Sequence, residues 1–128
     1  MQYIGYALIL VHGFLLLWSA GGFLEMLLPR VPWKTFTNPE FPQWVLIIHW
    51  GSVLFASVSF LFGYFTQWSK TPQIMAVAYG MMAVVCIIET FGYMTSPTKY
   101  LAMGAEFLAY TAILLLLFRS EYFVEYFK

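Results

Sequence analysis

The sequence is poor in charge. Lys, Arg, Asp and Glu make up 9% of its 128 residues, and Asp is absent altogether. A soluble domain carries about 25%. A chain this short buries only roughly two-thirds of the surface that its unfolded form exposes. A water-soluble fold could not hide a sequence that is 62% hydrophobic, so the apolar residues must face lipid. Basic runs are also missing. Six Lys and Arg balance six Glu, for a net charge of zero, and the electrostatic footprint of a nucleic-acid binder is excluded. Cysteine is reduced to Cys86, which has no intrachain partner and lies in an apolar stretch. Free cysteine in that setting reads as a small buried core residue. There is no internal repeat and no low-complexity tract.

What is present is a series of apolar segments, rich in aromatics (21%). A bilayer core of about 30 Å needs roughly 20 apolar residues of helix. Four segments reach that length, roughly Ile4–Leu28, Gln43–Thr66, Gln73–Thr95 and Lys99–Phe118. Isolated strands would leave backbone groups unpaired in lipid, so the segments must be helices. The expectation is one all-α domain over residues 1–128: an integral membrane four-helix bundle, antiparallel and up-down, with both termini on the same side. Prolines fit these limits. Pro29, Pro32, Pro39 and Pro42 bracket the first loop, and Pro72 suits the first turn of the third helix. The short Ser96-Pro97-Thr98 link makes helices three and four antiparallel neighbours. Trp33, Trp44, Trp68, Tyr3, Tyr100 and Tyr122 sit near helix ends, as an aromatic belt would.

The first segment is about 25 residues long, with no Lys or Arg before it and no A-x-A pattern after it, and reads as a retained helix rather than a cleaved signal. Call the side holding both termini near and the other far. Lys70, Arg119 and Lys128 fall near; Arg30, Lys34 and Lys99 fall far. Positive charge therefore does not orient the chain. The tail 119–128 fits either a short helix lying at the interface or a continuation of helix four into water. The loop from Pro29 to Pro42, with Arg30, Trp33, Lys34, Phe36, Asn38 and Glu40, fits a lid, a docking surface or a stiff connector.

Membrane helices pack through small residues. Helix two carries Ser52, Ala56, Ser59 and Gly63 on one stripe, and helix four carries Ala102, Ala105, Ala109 and Ala112. Helix one has Ala20, Gly21 and Gly22. Helix three offers Ala76, Gly80 and Ala83 on one face and Ala78, Met82 and Cys86 on another. These stripes are the expected contact surfaces.

Five ionisable residues fall within the spans: His12, Glu25, His49, Glu89 and Glu106. An acid near mid-membrane costs at least ~2.5 kcal/mol, so such residues face the bundle interior and are candidates for function. At about 1.5 Å per residue, His49, Glu89 and Glu106 share a level roughly 9 to 10 Å inside the far boundary, with Glu25 roughly 5 Å inside. An internal cluster of three carboxyls and an imidazole is expected, with Glu25 peripheral and Thr90, Tyr93 and Trp50 as hydrogen-bond partners.

Four readings of that cluster stand side by side. It could bind iron, zinc or manganese through His49, Glu89 and Glu106, although the Glu-x-x-His pairs of di-iron bundles are absent. It could perform acid–base chemistry on a lipid-soluble substrate, with His49, Glu89 and Glu106 as acid and base. It could pass protons or ions. Or it could hold helix register by mutual hydrogen bonds, within the chain or with a partner. His12 lies apart, in the near half. With His49 it is the candidate axial pair for a haem, though their depths differ by roughly 7 Å. The alternative is a hydrogen-bonded histidine joining two helices.

In outline the chain resembles the DoxX-like group of small four-helix membrane proteins. The resemblance rests on length, four spans, Ser19-Ala20-Gly21-Gly22 followed by Leu28-Pro29, and an acid within helix four at Ala105-Glu106-Phe107-Leu108. It implies a membrane subunit or accessory protein, sometimes linked to quinone or redox systems, and carries no catalytic residue across. The placement of Glu and His is also similar to that in sterol-isomerase-like bundles. Two expectations follow. One is an accessory or assembly subunit of a larger membrane complex, with other subunits or itself as partner; small size and surface aromatics favour it. The other is a small enzyme acting on a quinone-, isoprenoid- or sterol-like molecule. Tight packing around the cluster would favour the subunit, and an internal cavity beside it the enzyme.

Overall fold

A computed structural model of the chain describes residues 2–28 and 40–128. The first loop, with Pro29, Arg30, Pro32, Trp33, Lys34, Phe36, Asn38 and Pro39, lies outside the described residues. The described residues form five helices and no strand: α1 (Gln2–Leu27), α2 (Gln43–Thr66), α3 (Thr71–Gly92), α4 (Lys99–Arg119) and α5 (Glu121–Tyr126). The first four are long and apolar enough to cross a membrane. Their ends fall within three residues of the expected limits.

Local chemistry sets those ends. Pro42 opens α2: it has no N–H to leave unpaired, and its carbonyl accepts from Val45 and Leu46 at 3.0 and 3.2 Å. α2 closes on Gln67, whose left-handed backbone (φ 54°) lets Trp68 N–H reach the Gly63 carbonyl at 3.0 Å. The turn into α3 also needs Gly63 to lack a side chain, since an added Cβ would stand 2.1 Å from Thr71 Oγ1. Pro72 occupies the first turn of α3. α4 breaks at Ser120, which is extended (φ −71°, ψ 127°).

Residue pairings across the seams show an antiparallel course. Along α1 and α2, Gly5 meets Tyr64, His12 stacks on Phe60 and Gly22 lies on Trp50. Along α2 and α3, His49 meets Glu89 and Gly63 meets Thr71. Along α3 and α4, Tyr79 stacks on Tyr110 and Phe91 packs on Tyr100. Gln2 and the C-terminal helix therefore share the near end.

The tail does not continue helix four. A separate helix does form, but it packs into the bundle: Phe123 and Phe127 are buried with Tyr64, Met75 and Leu117. The Tyr126 hydroxyl donates to the Tyr64 carbonyl at 2.6 Å, and burial pushes that phenol above its ordinary value. An aromatic core thus fills the near end.

The helices close unequally. α1 packs on α2, α2 on α3, and α3 on α4; among the described residues α1 and α4 make no comparable contact. The Ser52–Ala56–Ser59–Gly63 stripe faces inward, as does the Ala78–Met82–Cys86 face. The stripe on α4 does not. Ala102, Ala105, Ala109 and Ala112 are all exposed, and Leu117 alone is buried along that helix. α4 touches the bundle by one edge, through Tyr110, Ile113 and Leu117, so its alanines are left over. On α1, Gly22 makes the close approach: an added Cβ would stand 2.2 Å from the Trp50 indole.

Candidate functional site

With no α1–α4 seam comparable to the other three among the described residues, a space remains in the middle of the bundle. It is a cavity of about 350 Å³, and all four long helices line it. α2 and α3 supply a buried wall of Ser52, Val53, Tyr79, Met82, Val85, Cys86 and Glu89, with His49 half-buried beside them. α1 contributes Val11, His12, Leu15 and Trp18, and α4 contributes Glu106, Ala109, Tyr110 and Ile113. Tyr79 and Glu89 are ten residues apart on α3, so the cavity runs roughly 15 Å along the bundle.

At one end, His49 Nδ1 lies 2.7 Å from Glu89 Oε1. The Glu89 side chain is buried. The Trp50 indole meets the imidazole edge-on, with centroids 4.5 Å apart. The Ser52 hydroxyl donates to the His49 carbonyl at 2.9 Å, using one helical turn to satisfy itself. A carboxylate that accepts from Nδ1 fixes the ring orientation and leaves Nε2 as its acceptor, the atom a general base uses.

At the other end, His12 is fully buried. Its Nδ1 is 2.7 Å from the Leu8 carbonyl and its Nε2 is 2.5 Å from the Tyr79 hydroxyl. A carbonyl can only accept, so Nδ1 carries the proton. In the neutral ring Nε2 then accepts from Tyr79. Phe60 stacks on the imidazole at 4.1 Å, and Tyr110 stacks on Tyr79 at 5.3 Å. Tyr110 donates to Glu106 Oε2 at 3.0 Å, one turn away on α4. Tyr79 and Tyr110 thus continue the line from His12 to Glu106.

This arrangement differs from the expected cluster. His49, Glu89 and Glu106 do line one cavity, but Glu106 bonds Tyr110 rather than the His49–Glu89 pair. Glu25 lies outside the lining, because its α1 position beyond Gly22 is past the point where Trp50 closes the α1–α2 seam. His12, expected apart, lines the same cavity and joins α1 to α3. Of the expected partners, Trp50 packs on His49, Thr90 sits 3.9 Å from Cys86 Sγ, and Tyr93 packs on Phe41 and Trp44. Cys86 is buried and also faces the cavity.

Sequence reading missed Tyr79 and Tyr110. The signal was available: Tyr79 lies three and seven residues before Met82 and Cys86, and Tyr110 four after Glu106, so each shares a face with a residue already singled out.

The donor set bears on the metal and haem readings. Among the described residues, no three His, Cys, Asp or Glu side chains converge as metal ligands would. Both ring nitrogens of His12 are engaged by protein groups, which leaves neither for an axial bond. A second, apolar groove lies outside the α2–α3 seam between Gly51 and Gly80, with no ionisable group in its lining.

Comparison with protein-family models, with curated proteins and with solved structures finds no match to this chain.

Proposed function

We propose that the chain is a multi-pass integral membrane protein that binds a lipid-soluble small molecule in the central cavity and exchanges a proton with it. One observation carries this reading. A carboxylate–imidazole pair, two tyrosines and a further carboxyl converge on a single cavity of about 350 Å³ and leave it open despite their contacts with one another. Structural hydrogen bonds alone would need no space between them. That volume lies in the range of small-molecule sites, which are mostly apolar with a few placed polar groups.

In this reading His49 is the base, acting through Nε2, and Glu89 orients the ring and stabilises the imidazolium that proton uptake creates. Tyr79 holds one end of the ligand from a position that His12 fixes. Glu106 and Tyr110 form a second proton-exchanging pair on α4.

Organic extraction of protein purified gently from its own membrane tests the proposal. A single compound at close to one per chain, lost in His49→Ala, is the expected result. Extracts that contain only bulk lipid, in the same proportions for both proteins, would sink it.

The subunit reading rests on a different observation. α4 presents Ala102, Ala105 and Ala112 to its surroundings and buries little against its own chain. A partner helix there would agree with the accessory role that the DoxX-like resemblance implies. The two readings are compatible, since Ala102, Ala105 and Ala112 lie outside the cavity lining.

A further inference from the structure

The hydrogens around the cavity identify what kind of molecule it takes. Three hydroxyl groups line it, and each is already donated within the protein. Ser52 donates to the His49 carbonyl at 2.9 Å, Tyr110 donates to Glu106 at 3.0 Å, and Tyr79 donates to His12 Nε2 at 2.5 Å. The imidazole hydrogens are committed too. In the neutral rings, His12 Nδ1 donates to the Leu8 carbonyl and, with Glu89 ionised, His49 Nδ1 donates to Glu89. What these groups turn toward a guest is therefore lone pairs: the phenol oxygens of Tyr79 and Tyr110, His49 Nε2 and the carboxyl oxygens. Such a wall is rich in acceptors. Along this wall a guest that offers only a carbonyl or ether oxygen would set acceptor against acceptor. The other polar hydrogens in the lining are the Cys86 S–H, a weak donor 3.9 Å from Thr90 Oγ1, and the indole N–H of Trp18, an exposed residue of α1.

The route into the cavity limits the guest further. Lining residues that are exposed all lie on α1 and α4: Val11, Trp18, Glu106 and Ala109. The wall from α2 and α3 is buried apart from the half-buried His49. Phe123 and Phe127 fill the near end. The cavity is thus open sideways, between two helices whose outer faces are apolar. A charged molecule passing there would meet the cost of a charge in hydrocarbon.

We infer that the ligand is an uncharged, lipid-soluble alcohol or phenol, which reaches the cavity between α1 and α4 and donates its O–H to the acceptor wall. This rests on the small-molecule reading above and narrows it. It also gives the His49–Glu89 pair its work. The ligand O–H hydrogen-bonds to His49 Nε2, and partial proton transfer there makes the ligand oxygen more nucleophilic while Glu89 balances the charge on the ring.

A matched pair of probes tests this in lipid nanodiscs: 4-heptylphenol and its methyl ether, 4-heptylanisole. They share shape and lipid solubility and differ in one O–H. Binding is read by protection of the cavity wall, at Met82 and Cys86, from a lipid-soluble carbene reagent mapped by mass spectrometry. The phenol should protect, with the ether roughly tenfold weaker, about the worth of one hydrogen bond. His49→Phe, which removes the Nε2 acceptor and keeps a ring of similar size, should weaken the phenol and leave the ether unchanged. Equal protection by both probes would overturn the inference while leaving the small-molecule site standing. A wall that the reagent never labels, while lipid-facing Val84 and Ile87 are labelled, would overturn both.

Discussion

The hydroxyl of Tyr79 lies 2.5 Å from Nε2 of His12 and ties α1 to α3 across the centre of the bundle. Two helices that are not consecutive in the chain are thereby joined by one neutral hydrogen bond inside apolar surroundings. Tyr79→Phe leaves a buried imidazole nitrogen without its donor. Such bonds between membrane helices are worth about 0.6 to 2 kcal/mol, so a loss in that range is expected. Unfolding in mixed detergent reads it. A double-mutant cycle with His12→Ala should return a coupling of similar size; zero coupling would mean that the bond contributes nothing.

Glu89 separates structure from chemistry. Glu89→Gln keeps an oxygen that can accept from His49 Nδ1, so stability should change by less than about 1 kcal/mol. Retention of the native ligand and any proton transfer should nevertheless fall, because the amide cannot balance an imidazolium. Stability and ligand occupancy measured on the same preparation check both halves. A variant with full occupancy would assign Glu89 to helix register alone.

Glycines predict opposite outcomes according to what surrounds them. Gly22→Ala puts a methyl 2.2 Å from the Trp50 indole and should cost about 1–3 kcal/mol as overpacking. Gly13→Ala and Gly104→Ala meet nothing within 4 Å and should be neutral or gain up to about 1 kcal/mol in helix propensity. Thermal unfolding of the three variants distinguishes them.

The side opening makes its own prediction. Ala109→Trp and Val11→Trp stand on opposite rims and should each cut carbene labelling of Cys86 severalfold. Leu108→Trp, on the lipid-facing side of α4, should leave it unchanged. Equal labelling in all three would place the route elsewhere.

Docking of α5 rests on Phe123, which is fully buried. Phe123→Ala should cost about 3 kcal/mol and free residues 120–128. Hydrogen exchange should then show loss of protection confined to the tail and the Tyr64 end of α2. A retained, protected tail would mean that Tyr126 and Phe127 suffice.

Much of the fold was legible because the bilayer leaves few options. Length, apolarity and prolines placed four helices, and the α2 stripe from Ser52 to Gly63 correctly faced inward. The same logic failed on α4. Small residues mark a surface that can pack, not one that does, and Ala102 to Ala112 are bare within this chain. For the site, depth along the helices brought His49, Glu89 and Glu106 to one cavity. Depth is not azimuth, however. It could not tell that Glu106 would turn to Tyr110, or that Glu25 would fall beyond the Gly22–Trp50 seam. His12 was set apart because depth separated it from His49, whereas the cavity runs far enough along the bundle to include both. The tyrosines were passed over because they carry no charge at neutral pH, although their hydroxyls complete the polar wall.

The most direct test is an experimental density map of the protein in nanodiscs made from its own membrane. The account predicts non-protein density between α1 and α4, in contact with His49 at one end and Tyr79 at the other. A cavity closed by α1 packing onto α4, with His49, Glu89 and Glu106 bonded only to one another, would contradict it.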